Sequence, residues 1–338
     1  MSEKHSMSKP KGHARYTSFV SGCIRRINGG AALEKIMSLT QPRDAASQPA
    51  RKVTIQHLFD KKHNHQPITS LTAYDYPTAR LVDEAGIDII LVGDSLAMTV
   101  LGQDNTLAIT VDEMLHHTRA VRRAVRSAFL VVDMPFGSYH TGAEDALRNA
   151  TRFIKEAGAE AVKIEGGASR APLVEQLTQA EIPVVAHIGL TPQSLHRMSG
   201  YRVQGRSLPA IEALIADAAI LESAGAVAIV LEGVPREVAA RITAASGIPT
   251  IGIGAGPDCD GQILVFHDLF NLTFTPSAKF VRRFADAETL LHDGIERYRN
   301  AVADHSFPGD RESYHLAPDV RSVFEHTETL EQHASATK

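Results

Sequence analysis

The chain has 338 residues, of which 43% are hydrophobic and 22% are charged, and this composition is typical of a globular protein. A net charge of −4 argues against a nucleic-acid-binding surface, and no apolar run approaches the roughly 20 residues that a membrane helix requires. Cys23 and Cys259 have no neighbours at zinc-ligand spacing, which favours a reducing compartment. We therefore expect neither nucleic acid nor membrane as a partner.

Residues 1–52 form a segment of distinct composition. They contain scattered Lys, Arg and Ser, few acids, and no apolar core of a signal peptide. Such a segment could be a mitochondrial transit peptide if the source is eukaryotic. We favour a disordered bacterial extension or an upstream start codon, and hence a cytoplasmic location (mitochondrial for a eukaryotic source).

From residue 53 onward, short apolar runs alternate with amphipathic segments. The runs are nearly continuous in Val, Ile and Leu, as in parallel strands that helices cover. They predict strands at 68–73, 88–93, 128–133, 160–165, 182–187, 226–232, 248–253 and 262–266. Between them we predict helices at 53–64, 111–126, 142–158, 170–180, 208–224 and 235–246.

Two features of this pattern favour a closed (βα)₈ TIM barrel over an open doubly wound sheet. Eight strands within about 200 to 250 residues match the barrel. Polar residues also end most of the strands, whereas an open sheet concentrates its site at one switch point. We predict a catalytic barrel over 53–308, followed by a polar, solvated tail over 309–338.

Three carboxylates follow predicted strands, namely Asp94, Asp133 and Glu165. At one barrel mouth these groups would repel one another unless a cation joined them. A ligand set of oxygens alone suits Mg²⁺, or Mn²⁺. The alternative is that each carboxylate caps a helix or pairs with an arginine.

Three further polar residues end apolar strands. Lys163 lies two residues before Glu165, so both side chains point to the same side of the strand. It could pair with a substrate carboxylate or form a Schiff base, and a neighbouring metal favours charge pairing. Glu232 ends a very apolar strand, where desolvation would make it a usable general base. His187 could hydrogen-bond to substrate or, alternatively, to backbone.

The segment 251–256, Ile-Gly-Ile-Gly-Ala-Gly, is a weaker signal. It lacks the spacing of a dinucleotide fingerprint and follows a late strand. Glycines after the seventh strand of a barrel allow the backbone to approach a ligand, sometimes a phosphate. Tight packing is the alternative interpretation.

Five segments in order and spacing resemble the ketopantoate hydroxymethyltransferase family. They are LVGDS at 91–95, VKIEGG at 162–167, HIGLTPQS at 187–194, GYRVQGR at 200–206 and IGIGAG at 251–256. The resemblance extends over about 53–308. Several long motifs in register are far more specific than any single one.

The resemblance implies a barrel of the phosphoenolpyruvate/pyruvate superfamily, commonly assembled as a decamer. It also implies Mg²⁺-assisted transfer of a one-carbon unit from 5,10-methylenetetrahydrofolate to 3-methyl-2-oxobutanoate, in pantothenate synthesis. The residue roles carry over onto matching positions: Asp94, Asp133 and Glu165 at the metal, the last directly or through water; Asp94, Ser95, Asp133, Lys163 and His187 at the substrate; Glu232 as the base.

Two other functions stay open at this point. One is a different enzyme of the same superfamily, such as a phosphoenolpyruvate mutase or an isocitrate-lyase-like C–C lyase. The lyases would need a cysteine near the mouth, and Cys259 is not in a suitable sequence context. The other is a non-catalytic barrel kept for binding or assembly, and the intact set of acids argues against it.

Overall fold

Eight parallel strands form a closed barrel in the computed structural model, which describes residues 51–325. The strands pair in chain order, and β1 pairs with β8 to close the barrel. They are β1 Ile68–Thr72, β2 Ile89–Val92, β3 Phe129–Asp133, β4 Ala161–Glu165, β5 Val184–Gly189, β6 Ala228–Glu232, β7 Thr250–Ile253 and β8 Gly261–Leu264. The prediction of a (βα)₈ barrel is confirmed.

Helices follow most of the strands and surround the barrel. They are α1 Ile55–His63, α2 Tyr76–Glu84, α3 Leu96–Thr99, α4 Val111–Ala124, α5 Ala143–Ala157, α6 Ala171–Gln179, α7 Leu195–Met198, α8 Leu208–Ser223, α9 Arg236–Ala245, α10 Phe266–Leu269 and α11 Ala287–Ala303. The six predicted helices are present, with bounds shifted by one or two residues. None of the helices within 51–325 is long and apolar enough to cross a membrane.

Two longer helices, α2 and α11, were not predicted. The start of α2 has an ordinary signal, because the Asp75 side chain accepts a hydrogen bond from the Thr78 N–H at 2.8 Å and Pro77 lies in the first turn. α11 begins in the same way at Asp286. The predicted extension lies, up to residue 50, outside the described residues, and so does the tail from 326.

The strands bury apolar side chains on both of their faces. Ile90 and Val92 pack outward with the helices, whereas Ile89 and Leu91 point into the barrel. Leu58 of α1 belongs to the inner group, so α1 covers the amino-terminal end of the barrel. Each such burial contributes about 1.5–3 kcal/mol, which explains the nearly continuous apolar runs.

The inner face changes from apolar to polar along each strand. On β3 the inward residues are Phe129, Val131 and Asp133, and on β4 they are Ala161, Lys163 and Glu165. We call the apolar part the barrel floor. It comprises Leu58, Ile68, Ile89, Leu91, Phe129, Val131, Ala161, Val185, Ala228, Val230, Ile251 and Ile263.

Candidate active site

The polar residues that sequence analysis selected line one cavity of about 200 Å³ at the carboxyl ends of the strands. Six of them carry charge or titrate, and we call these the mouth cluster: Asp94, Asp133, Lys163, Glu165, His187 and Glu232. Ser95 lines the same cavity. The barrel therefore brings together residues that are up to 138 positions apart in the sequence.

A larger cavity, of about 550 Å³, lies at the amino-terminal end of the barrel. Its position follows from Pro67 and Asp260, which directly precede β1 and β8. The charged groups here already have partners, since Lys62 Nζ lies 2.7 Å from Asp260 Oδ2. Asp260 also accepts a hydrogen bond from the Thr250 N–H. The unbalanced charge is in the smaller cavity at the mouth.

Strand register explains which members of the mouth cluster touch. Asp133 lies beside Lys163 across β3 and β4, and Glu165 lies beside His187 across β4 and β5. Lys163 Nζ is 2.8 Å from Asp133 Oδ1. Both side chains are buried, so this ion pair is shielded from water.

Asp94 follows β2 in a tight turn that needs glycine before it. A Cβ atom at Gly93 would lie 2.9 Å from Ser95 Oγ and 3.5 Å from Asp133 Oδ2. The Asp94 N–H donates to Asp133 Oδ2 at 3.0 Å. Burial, together with the charges of Asp133 and Glu165, holds the pKa of Asp94 well above its usual range. The ionised form of Asp94 is therefore unfavourable unless a cation lies beside it.

Lys163 carries its charge inside the protein. Burial lowers its pKa, but Asp133, Glu165 and Asp94 outweigh burial and raise that pKa above its ordinary value. A Schiff base requires the neutral amine. The surroundings of Lys163 therefore favour charge pairing, the alternative that sequence analysis preferred.

His187 bridges two carboxylates. Its Nε2 lies 3.2 Å from Glu232 Oε2, and its Nδ1 lies 3.4 Å from Glu165 Oε1 and 3.2 Å from Lys163 Nζ. Burial and the Lys163 charge lower the pKa of His187, but the two carboxylates raise it to about 9. Both ring nitrogens face charged side chains, so bonding to backbone is not the role seen here.

Several buried oxygens of the cluster have surroundings that suit a cation. Asp133 Oδ1 and Glu165 Oε1 have no hydrogen bond of good geometry, although Lys163 and His187 lie close to them. A set made of carboxylate oxygens matches the ligands of Mg²⁺. These residues therefore fit a divalent cation.

The oxygens of the three predicted metal ligands are more widely spaced than those of a compact metal site. Oxygens from Asp94, Asp133 and Glu165 do not all lie within 4.8 Å of one another; among residues 51–325 that spacing occurs in an exposed group on α11 that includes His292. Glu165 Oε2 accepts from the Gln193 N–H at 3.0 Å. In this arrangement the three carboxylates suit a cation that at least one of them contacts through water.

The glycines of the segment 251–256 pack against side chains. Gly254 has a φ of +62°, which disfavours other residues, and a Cβ atom there would lie 2.6 Å from Phe280 Cδ1. A Cβ atom at Gly252 would lie 3.0 Å from Cys259 Sγ. The tight-packing interpretation describes these glycines, and Phe280 forms part of the cavity wall.

Four uncharged residues at the mouth were missed by sequence analysis. Tyr74 OH and Ser95 Oγ share a hydrogen bond of 2.8 Å, and burial raises the pKa of Tyr74 to about 12. Tyr201 lines the cavity. Gln193 Nε2 donates to Asp94 Oδ2, and Tyr139 OH donates to Gln193 Oε1 and accepts from the Glu165 N–H. Gln193 and Tyr201 lie inside two of the five resembling segments, which was the one available signal.

Comparisons with known sequences agree with one another. The family model of ketopantoate hydroxymethyltransferase matches residues 52–310. A 3-methyl-2-oxobutanoate hydroxymethyltransferase of Koribacter versatilis (strain Ellin345) is 65% identical over 274 residues, which cover 81% of this chain and 93% of that protein. The enzyme of that name from Geotalea daltonii is 54% identical, over 78% of this chain and 99% of the relative.

Solved structures share the fold at much lower identity. A crystal structure of phosphonopyruvate hydrolase complexed with oxalate and Mg²⁺ has a TM-score of 0.50 and 15% identity, over 84% of this chain and 98% of that one. The 2,3-dimethylmalate lyase, of the PEP mutase/isocitrate lyase superfamily, has a TM-score of 0.50 and 19% identity, over 83% and 98%. At such identities the likeness establishes the fold alone.

Proposed function

Since the chain belongs to the ketopantoate hydroxymethyltransferase family, we propose that it transfers a hydroxymethyl group to 3-methyl-2-oxobutanoate. The observation that carries the proposal is the mouth cluster, four carboxylates and two cationic groups in one small cavity. The one-carbon donor is 5,10-methylenetetrahydrofolate, and the product is 2-dehydropantoate, an intermediate of pantothenate synthesis.

Asp94 and Asp133 would hold Mg²⁺ through their carboxylate oxygens, with Glu165 in contact directly or through water. A bound Mg²⁺ acts as a Lewis acid on the 2-oxo acid and favours its enolate form. The carboxylates are held in place before any metal arrives, because Asp133 accepts the Asp94 N–H and Glu165 accepts the Gln193 N–H.

Lys163 and Ser95 would bind the substrate carboxylate. The buried ammonium of Lys163 offers positive charge among the carboxylates of the mouth cluster. The Ser95 hydroxyl is oriented by Tyr74, with which it shares a hydrogen bond. A carboxylate that enters the cavity thus meets one charged and one neutral donor.

Glu232 would remove the C3 proton of the substrate. Its side chain is 15% exposed, so it reaches the cavity while remaining largely desolvated. His187 Nε2 lies 3.2 Å from one carboxylate oxygen, Oε2, which leaves the other for the proton. Such proton transfer by a positioned group contributes roughly 10²–10⁴-fold in rate. The enolate would then form a C–C bond to the methylene carbon, while both C–N bonds to the folate break and water supplies the hydroxyl oxygen. The C3 proton taken by Glu232 and the second water proton end on the two folate nitrogens, which leaves tetrahydrofolate.

The two alternative functions have less support. Cys259, the thiol that a lyase of this superfamily would need, lines the cavity at the opposite end of the barrel. The lyase structures share under a fifth of aligned residues, whereas the named transferases share more than half. A non-catalytic barrel would have no reason to bury charged groups without full pairing.

We also propose that the chain forms a homo-oligomer. Helix α11 has no buried residue and exposes Leu290, Ile295 and Tyr298 by more than half of their surface. Such apolar surface is stabilised when an association covers it. Light scattering of the full-length protein is expected to give a mass several times 36.6 kDa, and a monomer would contradict this.

The activity is tested with purified protein, 3-methyl-2-oxobutanoate, methylenetetrahydrofolate and Mg²⁺. We expect 2-dehydropantoate to form when all three are present and to stop after chelation of the metal. Binding of the oxo acid without formation of product would contradict the proposed function and point to other chemistry of the same superfamily.

A further inference from the structure

Gln193 lies behind the mouth cluster and hydrogen-bonds to two of its members, Asp94 and Glu165. It lies in a single turn of 3-10 helix, Pro192–Ser194, after β5, and is 5% exposed. Its Nε2 donates to Asp94 Oδ2 at 2.8 Å and to the Met134 carbonyl at 3.0 Å. Its Oε1 accepts from Tyr139 OH at 2.6 Å. Both ends of the side-chain amide are therefore bonded.

The orientation of this amide is determined by its partners. Both neighbours of Nε2 are acceptors, so a flipped amide would place Oε1 against a carboxylate and a carbonyl. On the other side, Tyr139 OH accepts from the Glu165 N–H at 3.2 Å, which leaves its own proton for Gln193. Each donor thus has an acceptor in this direction only.

The bonds form a closed ring that includes a predicted metal-site residue. Gln193 donates its backbone N–H to Glu165 Oε2 at 3.0 Å, and Glu165 is linked back through Tyr139 to the Gln193 side chain. Asp94 Oδ2 accepts a hydrogen bond from the same side-chain amide. Together with Asp94, the ring joins the carboxyl ends of β2 and β4 to the loops after β3 and β5.

We propose that Gln193, oriented by Tyr139, is a positioning residue that holds Asp94 and Glu165 in the arrangement that binds a divalent cation. The inference rests on the metal role assigned to these carboxylates in the proposed function. A neutral amide suits this task, because it orients a carboxylate by hydrogen bonding without cancelling the charge that attracts the cation. A lysine or arginine there would compete with the metal.

The test is Mn²⁺ binding to the full-length protein, followed by the EPR signal of free Mn²⁺, with no substrate present. Gln193→Met removes both side-chain hydrogen-bonding ends at similar volume and keeps the backbone N–H. We expect roughly 10–100-fold weaker Mn²⁺ binding. The matched control is Gln262→Met, since Gln262 Nε2 donates to the Gly256 carbonyl at 2.9 Å, away from the carboxylates; its affinity should not change.

Tyr139→Phe is the second variant, because it removes one hydroxyl and leaves Gln193 in place. We expect a smaller loss of Mn²⁺ affinity in the same direction. A merely structural role would lower the melting temperature of the variants and leave the Mn²⁺ affinity of the folded protein unchanged. Should Gln193→Met not fold, Tyr139→Phe decides by the same criterion.

The outcomes separate this inference from the proposed function. Mn²⁺ affinity in folded Gln193→Met equal to that of the unaltered protein would overturn the inference. An unaltered protein that binds no Mn²⁺ would overturn it together with the metal site. If affinity falls as expected and the unaltered protein forms no 2-dehydropantoate, the positioning role holds and the proposed reaction fails.

Discussion

The barrel floor and the mouth cluster are built from the same strands and meet opposite demands. β3 contributes Phe129 and Val131 to the floor and Asp133 to the mouth. The floor consists of apolar groups packed together, which stabilises the fold. At the mouth, four carboxylates face two cationic groups, so full ionisation leaves two negative charges in a largely buried cavity.

The barrel floor therefore determines the stability of this molecule, and the mouth cluster determines its chemistry. Substitutions in the floor should lower the free energy of unfolding and spare catalysis by the folded protein. Substitutions in the mouth should do the reverse, because a buried charge without a full partner costs stability. The remaining two negative charges match one divalent cation. The four predictions that follow probe this division.

The largest effect is expected for Glu232→Gln. Loss of the base should lower kcat for 2-dehydropantoate formation by roughly 10²–10⁴-fold, while the melting temperature changes little. Steady-state kinetics and calorimetric titration of the oxo acid provide the measurement. A kcat within a factor of a few of the unaltered enzyme would show that another group removes the proton.

A floor substitution should show the opposite pattern. Ile251 of β7 is buried in the floor, and Ile251→Ala should lower the free energy of unfolding by about 2–5 kcal/mol. Its matched control is Ile253→Ala, two residues along the same strand, where the side chain lines the mouth cavity. Denaturant unfolding should show the larger loss of stability for Ile251→Ala. The KM for the oxo acid should rise only for Ile253→Ala. Equal losses of the free energy of unfolding in the two variants would contradict the division between floor and mouth.

Asp94→Ala should separate binding from folding. We expect Mg²⁺ and the oxo acid to bind at least about tenfold more weakly, and together, because the two share one site. The metal-free variant should be no less stable than the unaltered protein, since it removes a carboxylate that burial and its neighbours disfavour. Calorimetric titrations that match those of the unaltered protein would reject this site for the metal.

The smallest effect concerns pH. The raised pKa of Asp94, caused by burial and the neighbouring carboxylates, favours its protonated form in the metal-free protein. Protonated Asp94 therefore stabilises the metal-free folded state. This contribution is complete below the pKa of Asp94 in the unfolded chain and is lost as pH rises through its pKa in the folded protein. Metal binding requires the ionised form, so Mg²⁺ affinity should increase as pH rises through the raised pKa of Asp94, with proton release. Titrations in buffers of different ionisation enthalpy would detect that release, and an affinity independent of pH would count against it.

Much of the barrel and of its charged site is predictable from sequence because several strands are apolar runs that end in a charged residue. A charged residue after an apolar run, as at Asp133 or Glu165, lies on the inner face at the carboxyl end. Helix α2 was not predicted, although it buries Ala79 and Val82 and its capping residue is recognisable. Boundaries of the strands differ from prediction by one or two residues, as at β5, which extends to Gly189.

The contacts among loops were not predictable. Gln193 and Tyr139 are uncharged and follow no period, and they meet because closure of the barrel brings the loops after β3 and β5 together. The bridge from His187 to Glu232 depends in the same way on the register of β5 and β6. Such contacts arise from three-dimensional packing, which a linear pattern does not carry.

The central claim is that the mouth cluster binds and enolises the oxo acid, with Glu232 as the base. Its most direct test is exchange of the C3 proton of 3-methyl-2-oxobutanoate in D₂O, followed by NMR with Mg²⁺ and without folate. We expect metal-dependent exchange in the unaltered enzyme and its loss in Glu232→Gln, which should still bind the oxo acid. Exchange at an unchanged rate in Glu232→Gln would contradict it.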